Sequence, residues 1–346
     1  MPNVKKIFMV SDLRFDAVQM FKNNPIKLAK GFIRLGHDVR QFSYFETAMG
    51  LSPLRSRVVA RLFAKNKVDS LLAKAIENYR PDIIFISFVR MLDAETIEQM
   101  RQAAPKAVFV GFDGDAWPQL RPGRIDAAKK LDILLATNDG EYLQTYRDAG
   151  VPKCVFIPNS CDPDIDRRYS VENKWKKDIL WTGYIEHNPG RYPGEELRYE
   201  IVNRISKMPN CDVYGCCGKP KIGGMDYLYA ISGAKIGLSI NGDNNVRLYH
   251  SNRLTQYLSC GAFVLAKRVP DTDLLFKNEL HLRYFDTADE FFELADWYLQ
   301  HETERKKIAD AGIKWTHEQF NGVKIAGHIL DLIERGNYSA VWNQNL

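Results

Sequence analysis

Residues 249–270, with the sequence YHSNRLTQYLSCGAFVLAKRVP, contain a polar loop, a short helical segment and an apolar run in succession. The helix is predicted to start near Asn252 and to stop at Gly261, because glycine readily adopts the left-handed conformation that ends helices. Residues 263–266 are continuously apolar, as in a strand that is covered on both faces of a parallel sheet. A helix that leads directly into such a strand is typical of an open α/β fold.

The same alternation extends over most of the chain. Short apolar runs predict strands at residues 6–10, 39–44, 83–88, 107–112, 133–136, 154–157, 179–182, 211–214, 236–240, 263–266 and 282–285. Amphipathic stretches predict helices at residues 25–35, 58–79, 94–103, 141–149, 195–206, 227–232, 254–260, 288–299, 302–317 and 323–334. Repeated strand–helix units of this length predict parallel sheets with right-handed crossovers.

Residues 158–177 interrupt this rhythm, because they are rich in Pro, Asp, Arg and Lys and have no apolar period. At roughly 100–200 residues per domain, a chain of 346 residues has room for two domains. We therefore predict an α/β fold class with two Rossmann-like domains, one at residues 1–168 and the other at residues 169–321. Open parallel sheets bind ligands beyond the carboxyl ends of their strands, so two facing edges would form one cleft.

The composition, 45% hydrophobic and 26% charged, excludes a disordered chain, a collagen and a coiled coil. The net charge of +5 is spread along the chain, so no nucleic-acid partner is expected. No signal peptide and no apolar stretch of roughly 20 residues is found, which predicts a cytoplasmic protein. Contact with the inner membrane surface stays open, because residues 58–67 suit either anionic lipid or an amphipathic helix packed on the sheet.

The six cysteines predict buried thiols rather than a disulfide scaffold or a metal site. Cys216 and Cys217 are adjacent and pair poorly, and together with Cys211 they lack the ligands that complete a zinc set. The dinucleotide glycine fingerprint, the P-loop and the nucleophile elbow are all missing from the sequence, which counts against three large enzyme classes.

The start of the helix near Asn252 is the strongest candidate site. Unpaired N–H groups at a helix N-terminus attract anions, and Arg253 adds a permanent cation, so the segment suits a diphosphate. The same residues also suit a simple helix cap by Ser251 or Asn252, with Arg253 in solvent. Both interpretations stay open from the residues alone.

This segment resembles the donor-site signature of GT-B glycosyltransferases, in particular that of the spore-maturation CgeB-like group. The resemblance rests on Ser251, Asn252, Arg253 and the ending at residues 259–261. Three further segments resemble that group in order and spacing, namely residues 110–117, 157–162 and 179–183. The resemblance covers most of the chain. It implies the GT-B fold, in which residues 1–168 form the acceptor-side domain and residues 169–321 the donor-binding domain. It also implies a C-terminal helix and tail at residues 322–346 that return to the N-terminal domain.

The resemblance also implies a function. The chain would be a hexosyltransferase-type enzyme that moves a sugar from a UDP- or GDP-linked donor to the hydroxyl of a glycan, lipid-linked or other acceptor, in surface glycan or glycoconjugate synthesis. It would need no other cofactor and no metal. The implied donor-binding residues are Gly183, Arg191, Arg198, Asn241, Ser251, Asn252, Arg253, Gln256 and Glu279, and the implied catalytic residues are Asp113, Asp115, His187 and Arg253.

Several of these residues have other interpretations. Asp113 and Asp115 form a DxD pattern that suits an acceptor-side general base, a loop cap or, less well in this fold, a metal. His187 would act on the acceptor or the leaving group, although a lone loop histidine is more often a surface residue. Asn241 would bind sugar hydroxyls or simply form a turn.

Gln256 departs from the family pattern. Many retaining relatives carry two Glu about two helical turns apart, and here Gln256 takes the second position while the first falls near Leu248. Glutamine still hydrogen-bonds a ribose hydroxyl, but without charge assistance. The retaining mechanism is therefore not carried over. A nucleotide-sugar epimerase of the same fold and a binding subunit without catalysis remain as alternatives.

Overall fold

The computed structural model describes residues 4–13, 24–54, 59, 63–114, 120–185 and 195–343. These residues form two compact units. One comprises the described residues up to Ile157 together with Ile325–Tyr338, and the other comprises Pro158–Lys324 and the described residues from Ser339 onward. The domain boundaries given above at residues 168 and 321 stay predictions.

The first unit contains a sheet of six parallel strands. Apolar runs form its strands as predicted, and β3 and β5 are buried at every position. The strands are β1 (Lys6–Ser11), β2 (Asp38–Ser43), β3 (Ile83–Ile86), β4 (Val108–Asp113), β5 (Ile133–Ala136) and β6 (Cys154–Phe156), in the order β2-β1-β3-β4-β5-β6. Its described helices before residue 157 are α1 (Asn24–Arg34), α2 (Tyr44–Leu51), α3 (Lys65–Tyr79), α4 (Ala94–Ala103), α5 (Pro122–Ala128) and α6 (Glu141–Asp148).

The second unit repeats this architecture with five parallel strands. They are β7 (Lys177–Thr182), β8 (Cys211–Tyr214), β9 (Ala234–Ser239), β10 (Phe263–Lys267) and β11 (Arg283–Phe285), in the order β11-β10-β9-β7-β8. The helices are α7 (Glu195–Ile205), α8 (Gly224–Gly233), α9 (Asn252–Ser259), α10 (Ala288–Gln300) and α11 (Glu302–Gln319). The fold class of two parallel α/β sheets is thus confirmed.

The last helix, α12 (Gly322–Arg335), leads into the first unit, as the resemblance implied. The Tyr338 hydroxyl donates to the carbonyl of Phe156 at 2.6 Å, and Lys5 lies 3.5 Å from Glu334. Ile329 and Leu332 bury their side chains. Apolar burial and these polar contacts together fasten the helix to the first unit.

Each sheet has one topological switch point, where the strand order reverses. It lies between β1 and β3 in the first unit and between β7 and β9 in the second. In open α/β sheets the chains leave such neighbouring strands in opposite directions, which opens a crevice for ligands at their carboxyl ends. The crevice of the second unit therefore lies where Thr182 and Ser239 end their strands.

Two helices were missed by the sequence prediction, and several strands were drawn too long, among them the strand predicted at residues 83–88, which ends at Ile86. The strand predicted to end at residue 44 ends at Ser43, because Tyr44 begins α2. The Tyr44 hydroxyl donates to the buried carboxylate of Asp69 at 2.7 Å, a contact between residues 25 positions apart that local patterns do not reveal. The other missed helix is α5. For the helix predicted at residues 58–79, the described segment is Lys65–Tyr79.

Candidate functional site

The guanidinium of Arg253 lies at the switch point of the second unit. Its Nη1 donates to the carbonyl of Thr182 at 2.7 Å, and its Nη2 donates to the carbonyl of Ile240 at 2.6 Å. Its centre also lies 3.9 Å from the centroid of the Trp181 ring, a cation–π distance. Arg253 therefore bridges the carboxyl ends of β7 and β9, which is where the fold predicts a ligand.

Arg253 is a partly buried cation, and among the described residues no carboxylate pairs with it. Burial lowers the pKa of its guanidinium; Tyr257 and Tyr227 act against this, and the like charge of Arg198 adds to it. Its Nε is buried and has no hydrogen-bond partner. An arginine carries five N–H donors, so this group retains donors and charge for an anion.

Two glycines allow the backbone to approach this guanidinium closely. A methyl group at Gly183 would lie 2.7 Å from Nη1 of Arg253 and 3.0 Å from the Trp181 ring. Gly215, with a φ of +86°, would place a methyl group 2.8 Å from the carbonyl oxygen of Gly183. Gly183 is therefore packed against Arg253, and its close approach to a ligand stays a prediction.

Helix α9 begins with Asn252, and Arg253 in its first turn reaches the same switch point. Ser251 occupies the cap position with extended backbone, but its hydroxyl makes no capping bond and is buried without a partner. Asn241 holds the preceding loop in place, because its Oδ1 accepts from the Ser251 N–H at 3.3 Å and its Nδ2 donates to the Tyr249 carbonyl at 3.1 Å. Asn241 therefore positions the start of the helix. The sequence had suggested for Asn241 either a contact with sugar hydroxyls or a turn.

Arg198 lies near Arg253 and is itself part of an ion pair. Its Nη2 donates to Oε1 of Glu195 at 2.8 Å, with both side chains largely buried on α7. Its positive charge repels that of Arg253 and so contributes to lowering the pKa of Arg253. Two neighbouring cations and a single carboxylate, that of Glu195, leave a net positive charge at this edge of the sheet.

Sequence reasoning missed His250 and Thr255. His250 is buried edge-on to Phe276, and burial lowers its pKa to about 4, so the ring is neutral near pH 7. Its Nδ1 lies 3.2 Å from the carbonyl of Leu248, which only accepts, so the proton sits on Nδ1 and Nε2 is an acceptor. Nε2 of His250 and Oγ1 of Thr255 are both buried without a partner. The sequence signal that could have indicated both residues was their position within four residues of Ser251.

Asn252 is the first residue of α9, as predicted. Gln256 lies about one turn further along the helix, and its side chain is buried. Gly261 ends the region with a φ of +81°, as the sequence predicted. The ribose contact of Gln256 stays a prediction.

Asp113 ends β4 in the first unit and is held on all sides. The hydroxyls of Tyr142 and Tyr146 donate to its Oδ2 at 2.9 and 2.7 Å, and Arg124 forms an ion pair with its Oδ1. Burial and the Asp113 charge raise the pKa of both tyrosines, so the phenols remain donors. This arrangement favours a structural role for the carboxylate, and its catalytic role stays a prediction.

The remaining predicted residues are not brought to the Arg253 region by the described contacts. Glu279 is exposed, adopts a φ of +59° and pairs with Arg283 at 3.0 Å, next to the amino end of β11. Asp115, His187 and Arg191 lie outside the described residues.

The described ranges contain neither a cluster of metal ligands nor a membrane-spanning helix. Across those residues no three His, Cys, Asp or Glu side chains cluster as metal ligands. None of the helices between residues 4 and 343 that the structure describes combines the length and the apolar character that crossing a bilayer requires.

Comparison with known proteins agrees with this geometry. A protein-family model described as "Glycosyl transferase-like" matches residues 195–331, which include α7, α9 and Arg253 but less than half of the chain. A comparison with curated protein sequences finds no significant match.

Solved structures match over nearly the whole length. A sucrose-phosphate synthase from Thermosynechococcus elongatus has a TM-score of 0.64 at 12% identity, with 96% of this chain and 98% of that chain covered. The Anabaena protein HepE, crystallised with UDP and glucose, has a TM-score of 0.62 at 10% identity, with 96% and 100% covered. A putative UDP-N-acetylglucosamine 2-epimerase from Listeria monocytogenes has a TM-score of 0.53 at 10% identity, with 96% and 97% covered. The chain therefore has the two-domain, Rossmann-like GT-B fold.

Proposed function

We propose that this protein is a glycosyltransferase that takes a sugar from a nucleotide diphosphate donor and passes it to an acceptor hydroxyl. The observation that carries the proposal is the guanidinium of Arg253, a partly buried cation at the switch point of the second sheet with no carboxylate partner among the described residues. Burying a cation without a counterion is costly, and a diphosphate is the anion that would offset this cost.

The surrounding groups suit the same ligand. The Ser251 hydroxyl at the start of α9 is buried and lacks a hydrogen-bond partner among the described residues. Arg198 adds a second positive charge. During transfer the bond between the sugar and the diphosphate breaks, and negative charge grows on the departing oxygen. Preorganised cations and amides stabilise that charge, which is the main term in this kind of catalysis.

The finer features of the proposal come from the sequence resemblance. We propose a hexosyltransferase of the CgeB-like type that uses a UDP- or GDP-linked donor for surface glycan or glycoconjugate synthesis in the cytoplasm. Arginines and helix amides would take the place of a metal at the diphosphate. The match of residues 195–331 to the glycosyl transferase-like family model supports the donor half of this proposal.

A second candidate is a subunit that binds the nucleotide sugar without turnover. Gln256 favours it, because this buried amide stands where retaining relatives carry a glutamate, and it offers the ribose no charge-assisted hydrogen bond. An epimerase is the third candidate, since the fold also occurs in a putative epimerase.

The experiment begins with the melting temperature of the protein in the presence of UDP, GDP, ADP, CDP and uridine. A ligand that binds the native state raises the melting temperature, and we expect one nucleoside diphosphate to do so far more than its nucleoside. The matching nucleotide sugars are then incubated with and without a panel of hydroxyl acceptors. Transfer to an acceptor supports the proposal, a new sugar epimer from donor alone identifies an epimerase, and binding without turnover identifies the subunit. A protein that binds none of the diphosphates refutes the proposal.

A further inference from the structure

The carboxyl edge of the first sheet carries a row of buried polar side chains, and those at the ends of four strands find partners within the chain. Ser11, which ends β1, and Ser87, which follows β3, share a hydrogen bond of 2.6 Å. Asp113 on β4 is bound by two phenols and a guanidinium. Thr137, directly after β5, donates to the carbonyl of Gly114 at 2.7 Å. These groups are internally satisfied.

Asn138, the next residue along the chain, is the exception. Its side chain is 0% exposed, yet neither its Nδ2 nor its Oδ1 has a hydrogen-bond partner among the residues that the structure describes. Nearly all buried polar side chains in native proteins are paired, and a group left unpaired calls for an explanation such as a ligand or a water. Leaving both ends of an amide unsatisfied is costly, so selection for stability alone would have replaced it with an apolar side chain such as leucine.

We propose that Asn138 binds the acceptor, and that the acceptor group it recognises is a neutral, hydroxyl-bearing sugar. This inference rests on the proposed glycosyl transfer, because only a transferase has an acceptor. The site itself belongs to the first unit alone. An amide offers two donors and one acceptor in one plane, and a pair of sugar hydroxyls offers the same two kinds of partner in return. Asn138 follows the carboxyl end of β5, the edge at which open α/β sheets bind ligands.

The charges around Asn138 favour a neutral ligand over an anion. Asp113 is neutralised by Arg124, and Asp139 lies 3.4 Å from Arg147. Arg124 and Arg147 are thus already paired with carboxylates, whereas Arg253 at the edge of the other sheet is not paired with any described carboxylate. A phosphate or carboxylate would compete with Asp113 and Asp139 for these two arginines, while hydroxyl groups need no cation.

The experiment compares Asn138→Leu with the matched control Asn78→Leu, which alters an exposed asparagine on α3 of the same unit. The probes are UDP alone and UDP together with 100 mM methyl glycosides of glucose, galactose, mannose and N-acetylglucosamine, and the readout is the melting temperature. We expect at least one glycoside to raise the melting temperature of the UDP-loaded wild type by about 2 °C or more. The control should respond equally, and Asn138→Leu should not respond.

A second readout separates recognition from packing. Because Asn138→Leu removes an unsatisfied amide, its ligand-free melting temperature should equal or exceed that of the wild type, and its shift with UDP should be unchanged. If that variant does not fold, Asn138→Ala takes its place with the same expected loss of the glycoside response.

The outcomes distinguish the two proposals. If UDP shifts the wild type and no glycoside does, or if Asn138→Leu responds to the glycosides like the wild type, the inference is overturned and the proposed donor function stands. If the glycosides act through Asn138 but no nucleoside diphosphate binds, the sugar site stands and the proposed function fails.

Discussion

Replacing Arg253 by methionine is the most direct test of the site, because the change keeps the length of the side chain and removes its charge and donors. The wild-type guanidinium donates to the carbonyls of Thr182 and Ile240 at 2.7 and 2.6 Å and stacks on Trp181 at 3.9 Å. Methionine preserves much of the stacking and none of the hydrogen bonds. The substitution should therefore lower both the stability of the free protein and its affinity for a diphosphate.

The two losses have different sizes. A hydrogen bond to a charged group contributes about 1.5–3 kcal/mol, and each 1.4 kcal/mol is a factor of about ten in affinity. If one phosphate oxygen depends on Arg253, the dissociation constant for the nucleoside diphosphate should rise about 10- to 100-fold. Two hydrogen bonds to carbonyls are lost as well. Because methionine also removes the cost of burying a cation, we expect the free energy of unfolding to fall by only about 1–3 kcal/mol.

Arg305→Met is the matched control in the same unit. Arg305 is also buried, its Nη1 donates to the carbonyls of Tyr298 and Leu299 at 2.5 and 3.4 Å, and burial likewise lowers its pKa. It lies at the junction of α10 and α11 rather than at the carboxyl edge of the sheet. Its substitution should lower the melting temperature to a similar degree and leave nucleotide affinity unchanged.

Isothermal titration with the nucleoside diphosphate and with the corresponding nucleoside measures both effects. Arg253→Met should lose most of the preference for the diphosphate, while the weak affinity for the nucleoside stays the same. A folded Arg253→Met protein that binds the diphosphate as tightly as the wild type would refute the assignment. Equal losses of affinity in Arg253→Met and Arg305→Met would refute it too, because they would trace the effect to stability.

Three further predictions concern packing and pH. Gly183→Ala should displace the guanidinium, since the new methyl would lie 2.7 Å from Nη1, and should weaken diphosphate binding; Gly327→Ala, where nothing lies within 4 Å, should not. Asp113→Asn should lower the free energy of unfolding, measured by urea denaturation, by about 3 kcal/mol or more, because it removes the anion that pairs with the partly buried Arg124; an unchanged urea midpoint would disprove the structural role. The pKa of His250 is lowered from 6.5 to about 4, so the unfolded chain binds a proton in this window that the folded chain rejects. Stability should fall as the pH drops from 6.5 to 4, by up to about 1.4 kcal/mol per pH unit, and His250→Gln should flatten the melting temperature over this range.

Local patterns were sufficient for most of the secondary structure. Continuous apolar runs such as Ile83–Ile86 require cover on both faces, and they predict a parallel sheet wherever they occur. The stop at Gly261 follows from its freedom at positive φ. The residues of α2 escaped prediction because Tyr44 is fixed by Asp69, a partner that the local sequence does not indicate.

The candidate site divides in the same way. The sequence by itself determined that a helix N-terminus with Ser251 and Arg253 follows a strand, because the capping tendency of serine and the charge of arginine are properties of the residues themselves. Only the tertiary structure decided that Arg253 bridges Thr182 and Ile240, that Asp113 is enclosed by Tyr142 and Tyr146, and that Asn138 is buried without a partner. Partners and burial depend on which strands are neighbours. Strand order is set by the packing of the whole sheet, so no local stretch of the chain contains it.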